Sequence, residues 1–229
     1  MIASSEQPQM LQTANGTYPL HEYHLPLAGR EWVILHTGVL LTHAEEEEFF
    51  KDLLNHLPYG VALWPSSIAL AYELASRGES LAGKRILELG AGTGLPGIVA
   101  ASLGARVVQT DREEAAMSVC KRNAERNGVT EIEHRLVDWT QWGDTERYDW
   151  IIGADILYGA AMHPHLVRIL ETSLAPGGHV LLSDPFRGTS LRLLESLETQ
   201  GWKVTVTKWR LGDPNAPRNI GVFELAPPS

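Results

Sequence analysis

The chain has 229 residues, a formal net charge of −9 and one cysteine, Cys120. This length allows a single α/β domain with a modest extension, and the acidic balance, with a pI near 5.5, excludes a global basic field of the kind that attracts nucleic acid. The lone cysteine excludes an internal disulfide, fits a reducing compartment and reads as an ordinary helix residue. No apolar run is long enough to span a bilayer, and residues 1–12 lack the regions of a signal peptide, so a cytoplasmic location is expected.

Residues 1–17 carry Ser, Gln, Pro, Asn and Gly without periodicity and are expected to form a mobile tail. The remainder, 18–229, reads as one domain with a hairpin-and-helix extension over 18–80 and a core over 81–229. Residues 23–27 and 32–36 look like two short strands around Ala28-Gly29-Arg30-Glu31. Thr42 followed by Glu45 forms a capping-box pattern that opens a helix over 43–57, and the acidic run Glu45 to Glu48 is a solvated first turn. Pro65 suits the first residue of a second helix, which leaves Trp64 in the loop before it. The indole is either core packing or the cover of a bound cofactor; the chain by itself does not separate the two.

The stretch Ile86-Leu87-Glu88-Leu89-Gly90-Ala91-Gly92-Thr93-Gly94 organises the rest of the chain. It predicts a buried strand, a glycine-rich turn and a helix N-terminus, the usual place for a nucleotide-like cofactor at the carboxyl edge of a parallel sheet. A dinucleotide fingerprint requires G-x-G-x-x-G, and here the third glycine, Gly94, comes one residue early. Glu88 adds a carboxylate, which suits an ammonium or sulfonium and would repel a pyrophosphate.

Acids then recur at successive strand ends. A strand over 106–110 stops at Asp111, about twenty residues beyond the first glycine, where a ribose-binding acid is expected. A strand over 133–137 stops at Asp138-Trp139, an acceptor for an exocyclic amine beside an aromatic face. A buried-type strand over 148–154 leads into Asp155-Ile156-Leu157-Tyr158, and a fifth over 180–183 into Asp184-Pro185-Phe186-Arg187, where Arg187 has no assigned partner. Trp142 reads as core, and His163 and His165 as residues at a helix start rather than metal ligands. Strands over 203–207 and 220–225 are expected to pair antiparallel at the end of the chain.

The pattern E-x-G-x-G-x-G resembles motif I of the class I, seven-strand S-adenosylmethionine-dependent methyltransferases, and the order of elements from Lys84 onward matches theirs. Leu63-Trp64-Pro65-Ser66, Asp138-Trp139 and Asp155-Ile156-Leu157-Tyr158 narrow the resemblance to the DxxY-type protein methyltransferases, mostly lysine-directed. The resemblance implies a Rossmann-like, doubly wound, mostly parallel sheet with its last strand inserted antiparallel. It implies S-adenosyl-L-methionine as cofactor, with Glu88, Gly90 and Gly92 along its methionine part. Asp111 would hold the ribose, Asp138 and Trp139 the adenine, and Trp64 and Ala154 would border the cofactor. Asp155 and Tyr158 would form the catalytic, acceptor end; no metal is implied. The acceptor would be a lysine of a protein, ribosomal or metabolic, or a small-molecule amine, since relatives of this type are labelled both ways. A base-directed D-P-P-Y loop shares only the outer residues, so nucleic acid is disfavoured. A non-catalytic cofactor-binding module and a nicotinamide oxidoreductase stay open as alternatives on the sequence alone.

Overall fold

The computed structural model describes residues 9–39 and 58–228. The helix expected over 43–57, with its capping box and acidic run, lies outside them, as do residues 1–8 of the expected tail.

The tail expectation fails for residues 10–17. β1 (Met10–Thr13) and β2 (Gly16–Pro19) form an antiparallel hairpin. Leu11 and Leu20 are buried with Leu35, Val61 and Val119, so two apolar side chains anchor an otherwise polar segment. The second hairpin is the expected one, extended to β3 (His21–Leu27) and β4 (Arg30–His36). Its two-residue turn, Ala28-Gly29, has positive φ at both positions (53° and 76°), the backbone twist that matches paired strands.

Seven further strands form one sheet: β5 (Arg85–Leu89), β6 (Arg106–Asp111), β7 (Ile132–Leu136), β8 (Tyr148–Ala154), β9 (Leu174–Asp184), β10 (Lys203–Leu211) and β11 (Arg218–Ala226). The order is β10-β11-β9-β8-β5-β6-β7, with β11 antiparallel to both its neighbours and the other pairings parallel. This is the expected doubly wound sheet with the last strand inserted antiparallel. Pro176-Gly177-Gly178, a triplet that by composition suits a turn, lies inside β9.

Successive residues on the central strands serve opposite faces. Ile86, Ile152 and Leu181 pack with Ile68 of α1 (Pro65–Arg77), Ile98 of α2 (Leu95–Ser102) and Ala124 of α3 (Glu114–Arg126). Leu87, Leu89, Ile151 and Leu182 pack with Leu166 of α4 (His163–Ser173) and Leu193 of α5 (Gly188–Thr199). Trp142 belongs to the second layer, its indole N–H donating to Ser173 Oγ at 3.0 Å.

Asn123 of α3 and Asn127, the residue that follows the helix, tie the N-terminal hairpin to this core. Asn123 Oδ1 accepts from Leu35 N–H at 2.7 Å, and its Nδ2 donates to Leu35 and Thr93 carbonyls at 3.1 and 2.9 Å. Asn127 repeats the pairing with Val33. A buried amide here satisfies backbone groups of β4 and of the glycine turn at once.

Candidate functional site

At the carboxyl edge of the sheet the chain encloses a cavity of about 350 Å³. That is within the range of a small-molecule or cofactor site. Its wall includes Gly90, Gly92, Asp111, Asp138, Trp139, Ala154, Asp155, Tyr158 and Trp64, which come from five separate segments.

The glycine turn follows β5. Gly90 and Gly92 hold φ of 63° and 55°, a left-handed backbone that side chains rarely adopt. A Cβ on Gly90 would lie 2.8 Å from Ile156 Cγ2, and one on Gly92 would lie 3.0 Å from the Gly60 carbonyl. The turn therefore runs directly against two neighbouring segments, and glycine is required at both positions for space as well as for φ.

Asp111 ends β6 and is buried, with Oδ2 accepting from Gly92 N–H at 3.1 Å and Oδ1 from Glu113 N–H at 3.0 Å. Its carboxylate thus ties the second strand end to the glycine turn. Burial pushes its pKa up against the pull of those N–H groups. Asp138 is exposed and accepts from Thr140 N–H and Oγ1, both at 2.8 Å, and the backbone bond holds its carboxyl below the usual range. The next residue, Trp139, turns its ring into the wall beside Gly90.

Asp155 follows β8 with φ of 58°. It is buried, accepts from Ser66 Oγ at 2.8 Å and pairs with Arg187 Nη1, the partner that the sequence left unassigned. Burial pushes its carboxyl up despite Arg187 and Ser66. Tyr158, half exposed, faces an aromatic group that sequence reasoning missed. Tyr59 packs 4.6 Å from the Trp64 ring and 6.1 Å from the Tyr158 ring, centroid to centroid. Only its position one residue before Gly60, in an unpatterned loop, marked Tyr59 in the chain, and that is no signal. His163 sits at the first turn of α4 with Nε2 2.9 Å from the Leu157 carbonyl.

Glu88 departs from expectation. It is buried beneath the turn and is not part of the cavity wall. Gln109 Nε2 donates to it at 2.6 Å, and the Gly97 N–H of α2 also reaches it. The physical reason is the strand's alternation, which turns Glu88 under α2 rather than out of the strand end.

Burial raises the Glu88 pKa from 4.5 to about 8. Between those values the folded chain keeps a proton that the unfolded chain releases, so stability falls as pH rises through this window. Each unit is worth about 1.4 kcal/mol. Glu88→Gln is therefore expected to gain on the order of 2–4 kcal/mol over the native chain at pH 8.5 and little at pH 5, which urea denaturation at the two pH values measures. An equal effect at both pH values would show that Glu88 is ionised in the fold.

Residues 43–192 match the profile of the family described as lysine methyltransferase. The protein N-lysine methyltransferase METTL21A of Xenopus tropicalis is 38% identical over 142 residues, 60% of this chain and 66% of that protein. The histone-arginine methyltransferase METTL23 of Mus musculus is 35% identical over 112 residues, 45% of this chain and 43% of that protein. The chain thus spans less than two thirds of the length of either relative. The N-methyltransferase NodS of Bradyrhizobium japonicum WM9, solved with S-adenosyl-L-homocysteine, shares the fold with a TM-score of 0.58 and 19% identity, over 80% of this chain and 98% of that one. The glycine turn, the series of strand-end acids and a profile match over residues 43–192 agree: the chain belongs to the lysine methyltransferase family.

Proposed function

We propose that the protein is an S-adenosylmethionine-dependent methyltransferase that N-methylates a lysine side chain of a protein substrate. One observation carries the reading. A single cavity gathers four acids, Asp111, Glu113, Asp138 and Asp155, against one arginine, Arg112, whose Nε donates to Glu113 at 3.2 Å. A wall of that charge suits a cofactor with an ammonium and a sulfonium and lacks the cations that a pyrophosphate needs.

The residues present fit such a cofactor. The glycine turn would border its methionine part, Asp111 the ribose hydroxyls, and Asp138 with Trp139 the adenine amine and ring face; Ala154 and Trp64 would complete the wall. Glu88 would act from below by holding the turn through Gln109, which also donates to the Gly94 carbonyl at 2.8 Å. Bound there, S-adenosylmethionine supplies a methyl group already activated on a sulfonium.

The protein's own work is then alignment and exclusion of water. A lysine must lose its proton before it can be a nucleophile. Tyr59, Trp64 and Tyr158 line its approach with aromatic surface, which disfavours the charged form once water is displaced. Asp155 and Tyr158 orient the amine, while the proton leaves to solvent. Asp155 is held by Ser66 and Arg187 and needs no role as a strong base. Among the described residues no helix is long and apolar enough to cross a membrane. We place the activity in the cytoplasm, a reading supported by the unpaired, buried Cys120.

Calorimetric titration tests the cofactor reading. S-adenosylhomocysteine is expected to bind with micromolar affinity and NAD to give no heat. Binding of NAD alone would overturn the reading.

A further inference from the structure

β9 ends at Asp184, and the loop after it brings Arg187, the residue before α5, back onto two carboxyl groups. Arg187 Nη1 contacts Asp155 Oδ1 and lies 3.1 Å from Asp184 Oδ2. Asp184 is fully buried and outside the cavity wall. It also accepts from Arg187 N–H at 2.7 Å and from Ser190 Oγ at 2.7 Å. On the other side, Asp155 N–H donates to the Ser183 carbonyl at 2.9 Å, and Ser183 Oγ donates to the carbonyl of Ser66, the residue that caps Asp155 Oδ2.

Two features of this cluster call for a function. Asp155 sits at φ 58°, a left-handed conformation uncommon outside glycine that aspartate tolerates, and its N–H and both carboxylate oxygens are held there by named partners. Two buried carboxyl groups also share one guanidinium; with both ionised the cluster carries a formal charge of −1, whose cost in a buried place is the same burial effect that pushes the Asp155 carboxyl up. Of the two acids, only Asp155 reaches the cavity.

We propose that Arg187, anchored on Asp184, is a positioning residue: it fixes Asp155 at the cavity wall and leaves the cluster with one unbalanced negative charge, which a cationic acceptor side chain neutralises on entry. The assignment rests on the methyltransferase reading for its place in the reaction, but its charge balance can be measured without any methyl transfer. The cluster recruits the ammonium form to the mouth. The aromatic wall and the loss of water then favour release of the proton, so attraction and deprotonation are assigned to different groups.

The test uses the full chain and four proteins: native, Asp184→Asn, Arg187→Gln and Arg187→Lys. NMR titrations with n-butylammonium and with n-butanol report charge preference directly. Native protein is expected to prefer the ammonium, and Asp184→Asn to weaken it about tenfold with no change for butanol, although Asp184 never touches the cavity. With a protein acceptor in hand, Arg187→Gln is expected to lower kcat about a hundredfold at unchanged S-adenosylhomocysteine affinity. Arg187→Lys should recover at least a tenth of the native kcat, and Asp184→Asn should raise KM more than it lowers kcat. Equal weakening of both probes, no weakening of either, or an Arg187→Lys protein no better than Arg187→Gln would overturn the proposal. A native chain that transfers no methyl group would count against the methyltransferase reading, and the butylammonium titration would still decide this one.

Discussion

Gly90→Val is expected to abolish cofactor binding, with S-adenosylhomocysteine affinity down by at least about a hundredfold in a protein that remains folded. At φ 63° a β-branched side chain is strained by about 1–2 kcal/mol or more. Its Cβ would also stand 2.8 Å from Ile156 Cγ2 and 3.7 Å from Trp139 Cζ2. Overpacking of that kind costs about 1–3 kcal/mol and is relieved by moving the Ile156 and Trp139 segments of the cavity wall together. Gly177→Ala separates strain from site: its φ is 72°, yet nothing lies within 4 Å of the added Cβ. That variant should lose on the order of 1 kcal/mol of stability and keep native affinity. Circular dichroism and calorimetry on both proteins check the pair.

Asp155→Asn is expected to reduce methyl transfer by about a hundredfold or more, with S-adenosylhomocysteine affinity within about threefold of native. Asparagine suits this position because it tolerates the left-handed backbone that Asp155 adopts, so the substitution removes charge and spares the turn. It leaves Arg187 paired with Asp184 alone and takes the remaining negative charge from the cluster. Single-turnover assays with cofactor in excess measure the rate. Native turnover in this variant would remove Asp155 from the acceptor end.

Much of this site is legible along the chain because glycines and strand-end acids are local signals. A residue at the carboxyl end of a parallel strand points to the same edge as its neighbours, so Asp111, Asp138 and Asp155 reach one cavity once the strand order is right. Trp64 is ambiguous in sequence between core and cofactor wall; the proline after it keeps it extended and in the loop, and its ring lines the cavity. Three features escape a reading of the chain because they depend on contacts distant in sequence. Arg187 meets Asp155 across 32 positions, Tyr59 joins the aromatic wall only through the fold, and Leu11 anchors a hairpin in a segment that composition marks as tail. Glu88 misleads for a different reason. Its place at the strand end points to the ligand, but the strand's alternation sends its side chain under α2.

The most direct test of lysine methylation is to supply methyl-tritiated S-adenosylmethionine and a cell extract to native and Asp155→Asn proteins, hydrolyse the protein fraction, and resolve the labelled amino acids. Native protein is expected to place label in methyl-lysine, and Asp155→Asn to lose it. Label in methylarginine, label confined to small molecules, or equal labelling by both proteins would contradict the assignment.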